Sequence, residues 1–132
     1  KNWDFAISGH GSFGNYMYNF VAADQYTQSV YSDQGSYSNI LRATKDTGFQ
    51  TQQLYSDYFL EDASFFRIDN ISLGYTFNKL WNSSSSLRLT LGVQNVAIFT
   101  GYSGIDPEIY SGIDREVYPR PRTYSFSASL TF

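Results

Sequence analysis

The chain has 132 residues, 42% of them hydrophobic, 19% aromatic and 16% charged, with no cysteine, one histidine and a net charge of −3. Zero cysteines exclude a disulfide scaffold, a thiolate zinc site and a cysteine nucleophile, and the lone His10 argues against a His-based metal site or a Ser-His-Asp triad. A mean hydropathy of −0.35 without an apolar run of ~18 residues excludes a membrane-spanning helix; the acidic balance offers no electrostatic case for nucleic acid, and the aromatic content argues against intrinsic disorder.

Lys1 leads directly into alternating residues, without the charged and apolar stretches of a signal peptide, so the chain is expected to be processed or cut from something longer. Trp3, Phe5, Ile7, Gly9, Gly11 and Phe13 share one parity, and Asp4, Ala6, Ser8, His10, Ser12 and Gly14 the other. Period two predicts a first strand over 3–15. Residues 16–64 follow as a long connection, in which Tyr18 to Tyr31 allows a short helix of weak apolar spacing. A second strand is predicted over 65–77, where Ile71, Leu73, Tyr75 and Phe77 oppose Ser72, Gly74 and Thr76. Phe66 and Ile68 have the opposite parity, so a β-bulge is expected at Asp69-Asn70 to bring both apolar pairs onto one face. The polar segment 78–86 predicts a short turn before a third strand, 87–99, in which Leu87, Leu89, Leu91 and Val93 oppose Arg88, Thr90, Gly92 and Gln94. After a second long connection, 100–122, a fourth strand over 123–132 sets Tyr124, Phe126, Ala128, Leu130 and Phe132 against Ser125, Ser127, Ser129 and Thr131. Connections this long are uncommon inside compact domains and are usually functional.

The second face decides between two all-β readings. A soluble sandwich wets its outer face with many Lys, Glu and Arg. Here that face is Ser, Thr, Gly, Ala and Gln. The four strands hold only Asp4, Arg67, Asp69 and Arg88, where an even spread of the charged residues would put about eight. A transmembrane β-barrel predicts this pattern: tilted strands of ~9–11 residues, apolar toward lipid, polar toward the lumen, with aromatic girdles at both interfaces. By barrel convention the turn 78–86 is periplasmic and the connections 16–64 and 100–122 are extracellular. The alternative is a secreted glycan-binding β-sandwich; a small diffusion porin is a weaker third reading, since four strands cannot close and the smallest such barrels have ~8.

The segment Leu60-Glu61-Asp62-Ala63-Ser64-Phe65-Phe66-Arg67-Ile68-Asp69-Asn70-Ile71-Ser72-Leu73-Gly74-Tyr75-Thr76-Phe77 strongly resembles the EDGSFLRLKNISLGYTF stretch of SusC/RagA-type TonB-linked outer membrane transporters. Three further segments resemble the ending of that family: Leu91 to Val96, Tyr102 to Glu108, and Tyr118 through Phe132. The family's usual Trp and Pro-Arg signals are missing from 16–56, which assigns that connection to this lineage. The resemblance implies that residues 1–132 are the last four strands of a ~22-stranded barrel, with the plug domain, TonB box and signal peptide outside this chain. It also implies a Gram-negative outer membrane location and no catalysis, cofactor or metal. The expected partners are the remaining barrel and its plug, outer membrane lipid, TonB and a SusD-like surface lipoprotein. The expected cargo is an oligosaccharide or a peptide.

Three sets of candidate residues follow. Tyr124, Phe126, Leu130 and Phe132 resemble the terminal signature that barrel-assembly machinery recognises. His10, Ser72, Thr76, Arg88, Gln94, Ser125, Ser127 and Ser129 are expected to face the lumen, where substitutions tune selectivity. Tyr102, Asp106, Glu108, Tyr110, Asp114 and Tyr118 lie in an extracellular connection, where rings and carboxylates suit loop packing first, a partner protein second and substrate third. Their spacing does not match an EF-hand.

Overall fold

The computed structural model describes residues 2–30, 44–49, 53–79, 81, 84–115 and 117–132. The chain divides into two compact units, one of residues 1–12, 65–99 and 120–132, the other of residues 13–64 and 100–119.

The first unit is an antiparallel sheet of the four predicted strands: β1 (Trp3–Ser12), β4 (Phe65–Asn78), β5 (Ser86–Thr100) and β7 (Thr123–Thr131), in the order β1-β4-β5-β7. Strand β1 ends earlier than its parity suggested, because Gly14 adopts φ +77 and turns the chain away after Phe13. The expected bulge is present. Ser8 pairs with Asn70 and Gly9 with Ile68, so Asp69 is the extra residue of β4. One added residue shifts the alternation by one step, which puts Phe66 and Ile68 on the face of Ile71 and Leu73. Both bulge side chains turn to the other face, where Asn70 Nδ2 donates to Ser8 Oγ at 3.2 Å. The bulge also brings backbones close, for a Cβ on Gly9 would lie 2.5 Å from the Arg67 carbonyl oxygen. Between β4 and β5, Lys79 at φ +61 reverses the chain, its N–H donating to the Ser85 carbonyl at 2.8 Å.

The second unit corrects the expectation of two irregular connections. It holds a three-stranded sheet, β3-β2-β6, of β2 (Tyr16–Asn19), β3 (Leu60–Asp62) and β6 (Ile113–Asp114), with β6 parallel to β2. Helix α1 (Phe20–Val30) falls within the stretch that allowed one, and a short helix α2 covers Thr44–Thr47. Asn19 caps α1: its Oδ1 accepts from the Ala22 N–H at 2.9 Å, satisfying a donor the first helical turn leaves open. These strands are too short for alternation to reveal them, and their partners lie more than forty residues away in sequence. The core is Met17, Ala63 and Tyr102, with Ile109 packed against it. Beside it, rings of Tyr18, Phe20, Tyr26, Phe49, Tyr58 and Phe59 meet edge-on or tilted at centroid distances of 5.1–6.4 Å.

Candidate functional site

The four-stranded sheet has two chemically distinct faces, and register places every predicted lumen residue on one of them. Arg88 pairs with Ser129, Thr90 with Ser127, Gly92 with Ser125 and Gln94 with Thr123. Ser72 pairs with Ala6, while Thr76 follows Gly74 on the same side of β4. The polar face is built around side-chain links that cross strands. Arg88 Nη2 donates to Asp4 Oδ2 at 2.7 Å across the intervening β4. Gly74 makes this possible: a Cβ there would lie 2.5 Å from Asp4 Oδ1, so only glycine lets the carboxylate cross β4. Both partners are about half exposed, so the pair fixes side-chain positions more than it stabilises the fold.

A second group lies nearer the other end of this face. His10 Nδ1 meets Asp69 Oδ2 at 2.8 Å, and its ring stands edge-on to Phe65 at 5.6 Å. Arg67, which the bulge moves to this face, is buried, donates to Asn95 Oδ1 at 3.0 Å and stands over the Phe65 ring. Asn95 has φ +54, a left-handed conformation that Asn tolerates. From it, Nδ2 donates to the Arg120 carbonyl at 2.7 Å. Sequence reasoning missed Asp4, Asp69 and Asn95 as the partners of Arg88, His10 and Arg67. The parity of Asp4 was a usable signal; the left-handed backbone at Asn95 left none beyond residue type.

The apolar face carries Trp3, Phe5 and Ile7 of β1, opposite Tyr75, Leu73 and Ile71, and Leu87 to Val93 of β5 opposite Leu130 to Tyr124. Ile71, Tyr75, Leu87, Leu89 and Val93 are half-buried, but much of this face is exposed: Trp3 65%, Phe5 64%, Leu91 58%, Phe126 66%. An apolar field of this extent marks a surface that meets something other than water. Trp3 packs edge-on to Tyr75, and Tyr75 to Phe77, each at 4.6 Å, a cluster of rings at the end of the face nearest the β4–β5 turn. Phe132, 85% exposed, follows β7 in the row of Tyr124, Phe126 and Leu130.

In the second unit the loop candidates separate. Tyr102, Asp106 and Asp114 are interior, 6%, 5% and 1% exposed, in keeping with loop packing, the first of the three roles their residue types suit. They are interior because the small sheet needs them there. Tyr102 fills the core and its hydroxyl donates to Asp114 Oδ2 at 2.8 Å, while Asp106 Oδ1 accepts from the Glu108 N–H at 2.9 Å and sets the turn at Pro107. Burial, followed by the hydrogen bond to Asp114, pushes the Tyr102 phenol well up, so it stays a donor. Glu108 is half-buried, whereas Tyr110 and Tyr118 project fully into solvent. Among the described residues no three His, Cys, Asp or Glu side chains converge as a metal site.

Glu61 is the functional surprise of this unit. It accepts from Ser103 N–H at 2.9 Å, Ser103 Oγ at 2.7 Å and Asn19 Nδ2 at 3.0 Å, tying β2, β3 and the 100–119 segment together. Burial raises its carboxyl, but the hydrogen bonds from Ser103 and Asn19 outweigh it and hold the group below the ordinary carboxylate range. A lowered folded-state value means the ionised form stabilises the fold above the ordinary range, and that this contribution is lost as pH falls through the folded value. The protection of the Ser103 amide, its exchange rate relative to the intrinsic rate at each pH, is therefore expected to be high at neutral pH in the full-length protein and to fall on acidification. In Glu61→Gln that acid-dependent step is expected to shrink, and an unchanged step would show that another group governs it.

No family model matches the chain. The TonB-dependent receptor SusC of Bacteroides thetaiotaomicron is 41% identical over 140 residues, an alignment covering 100% of this chain and 14% of SusC. Among solved structures, the RagAB peptide importer in its closed-closed state matches with a TM-score of 0.75 at 23% identity, over 100% of this chain and 16% of that one. The RagAB peptide transporter matches at 0.73 and 23%, and the open-open state of the importer at 0.71 and 21%, with the same coverage. At these identities the structural matches speak for the fold, and this chain spans only about a seventh of the length of SusC.

Proposed function

Because this chain is a SusC/RagA-like TonB-dependent receptor segment, we propose that its four-stranded sheet is part of the wall of a large outer membrane barrel that imports nutrients in a Gram-negative cell. The observation that carries this reading is the sheet itself: an exposed apolar face backed by a face of small polar residues and cross-strand links. Its longest strands, 14 and 15 residues, exceed the ~9–11 a tilted strand needs to cross the bilayer. A sandwich reading requires the apolar rows to be covered, and their exposure argues against it. Strands β1 and β7 form the two edges of the sheet, where neighbouring strands of the same barrel would pair. The polar face would then line the lumen against a plug domain, and a SusD-like lipoprotein lid would dock on the extracellular side.

In this reading the protein moves a solute and transforms none. Energy comes from TonB, and the cargo is an oligosaccharide or a peptide, the latter as in the RagAB peptide importer. Deleting the full-length protein is expected to abolish uptake of its cargo by intact cells, and deleting TonB to abolish it equally. Uptake that depends on the protein but persists without TonB would overturn the energised-import reading.

A further inference from the structure

Glycine ordinarily fills a turn position whose backbone must be left-handed, because a side chain there crowds the main chain. The second unit keeps this rule in one turn and breaks it in another. In the turn 109–112, closed by the Gly112 N–H donating to the Ile109 carbonyl at 3.0 Å, the left-handed residue is Gly112 at φ +70. In the turn 53–56, closed by the Ser56 N–H donating to the Gln53 carbonyl at 3.3 Å, it is Tyr55, also at φ +70. Tyr55 is the third residue of that turn, where a positive φ calls for glycine or asparagine.

The surroundings hold this strain in place. The Tyr55 N–H donates to the Tyr18 hydroxyl at 2.9 Å, and the Tyr18 ring packs edge-on to Phe59. Ser56 caps the short 3₁₀ turn Asp57–Phe59, its Oγ accepting from the Tyr58 N–H at 3.2 Å, and Phe59 is buried. The backbone around Tyr55 is thus tied to the ring cluster, while the Tyr55 side chain is 85% exposed and meets no other ring among the described residues. The other left-handed non-glycine residues among those described have backbone duties: Lys79 reverses the chain between β4 and β5, and Asn95 is a residue type that tolerates the conformation. A glycine at 55 would serve the turn better, so what the strain retains is the ring itself. Strain of this kind clusters at ligand-binding positions.

The residues beside the ring point to the ligand. An aromatic anchor for a protein partner needs neighbours that exclude water. Gln53, Ser56 and Asp57 surround Tyr55 in sequence with polar groups, and the exposed Asp57 carboxylate makes no hydrogen bond or ion pair. A sugar ring suits this setting. The polarised C–H bonds of its face meet the negative face of the aromatic ring, and its hydroxyls donate to acceptors alongside. We propose that Tyr55 is a stacking platform for a sugar ring of an oligosaccharide. This rests on the import reading and narrows its cargo to a glycan.

The test applies the full-length protein in detergent to an array of neutral oligosaccharides and to an array of unstructured peptides, as wild type, Tyr55→Gly and Tyr55→Phe. Retention on the glycans that hold wild type is expected to fall about tenfold in Tyr55→Gly and to stay within about twofold in Tyr55→Phe, which keeps the ring. The thermal midpoint of Tyr55→Gly is expected to be unchanged or higher, because glycine relieves the left-handed strain. Absence of glycan retention by wild type overturns the proposal, as does equal retention by wild type and Tyr55→Gly. A lower midpoint in Tyr55→Gly would assign the ring to packing against the rest of the protein and overturns it too. Peptide retention that depends on Tyr55 overturns the choice of ligand, and a loss in Tyr55→Phe as large as in Tyr55→Gly overturns the stacking geometry. These outcomes are separate from the import reading, which fails on uptake without TonB whatever the arrays show.

Discussion

Leu89→Arg is expected to lower assembly of the full-length protein in the outer membrane markedly, while Thr90→Arg, one residue along, is expected to leave assembly nearly intact. Leu89 pairs with Ala128 in the middle of the apolar rows, and Thr90 pairs with Ser127 on the polar face. An arginine facing lipid near the midplane costs about 2–4 kcal/mol, and a lumenal one meets water. That cost is a large share of a stability on the order of 5–15 kcal/mol, so a lower folded and assembled fraction is expected for Leu89→Arg. Heat-modifiable migration of outer membrane fractions reads the outcome directly. If both variants assemble equally, the apolar face does not meet lipid, and the wall reading goes with it.

The second large effect is expected at Gly9. Its Cα approaches the β4 bulge so closely that a methyl group would stand 2.5 Å from the Arg67 carbonyl oxygen, an atom of the backbone that cannot swing aside. Gly9→Ala should therefore push β1 away from β4 at the bulge and cost about 1–3 kcal/mol, as overpacking does. Gly101→Ala, where an added Cβ meets nothing within 4 Å, serves as the neutral comparison. Urea midpoints of the full-length protein in detergent should separate the two, and equal midpoints would show that the strands absorb the clash. The effect reaches further than stability, because the same bulge turns Asp69 toward His10 and carries Arg67 to the polar face.

The two variants differ in how legible their sites were. Leu89 and Thr90 could be assigned to opposite faces from alternation alone, since side chains along a strand point to opposite sides with a period of two. The bulge was legible as well. Phe66 and Ile68 fall out of phase with Ile71 and Leu73, and a single extra residue is the simplest way to return them to one face. The crowding at Gly9 was not legible, because it arises only when the register of β1 against β4 is set and the bulged strand bends toward its partner.

The loop candidates show the opposite case. For Tyr102, Asp106 and Asp114 the sequence put loop packing first but could not say what they pack against. Burial is eased by local donors: the Tyr102 hydroxyl donates to Asp114 Oδ2 and the Glu108 N–H to Asp106 Oδ1, which offsets part of the penalty of taking carboxylates from water. Nothing in their spacing announces that pairing. Glu61 sits in the stretch that carries the family resemblance, yet its role as the tie among Asn19, Ser103 and β3 needed the fold to appear.

What the sequence by itself determined was the four strands, their two faces, the bulge and the kinship of the chain. Each of these is written in local order: a period of two, a phase slip and a run of matching residues. What only the tertiary structure decided was which distant residues meet. Asp4 reaches Arg88 across Gly74, Arg67 finds Asn95, Tyr102 closes on Asp114, and two long connections become one packed unit with its own sheet. The physical reason is that a strand's facing depends on the residues next to it in the chain, whereas a partner depends on register and chain reversal, which bring together residues up to 84 positions apart.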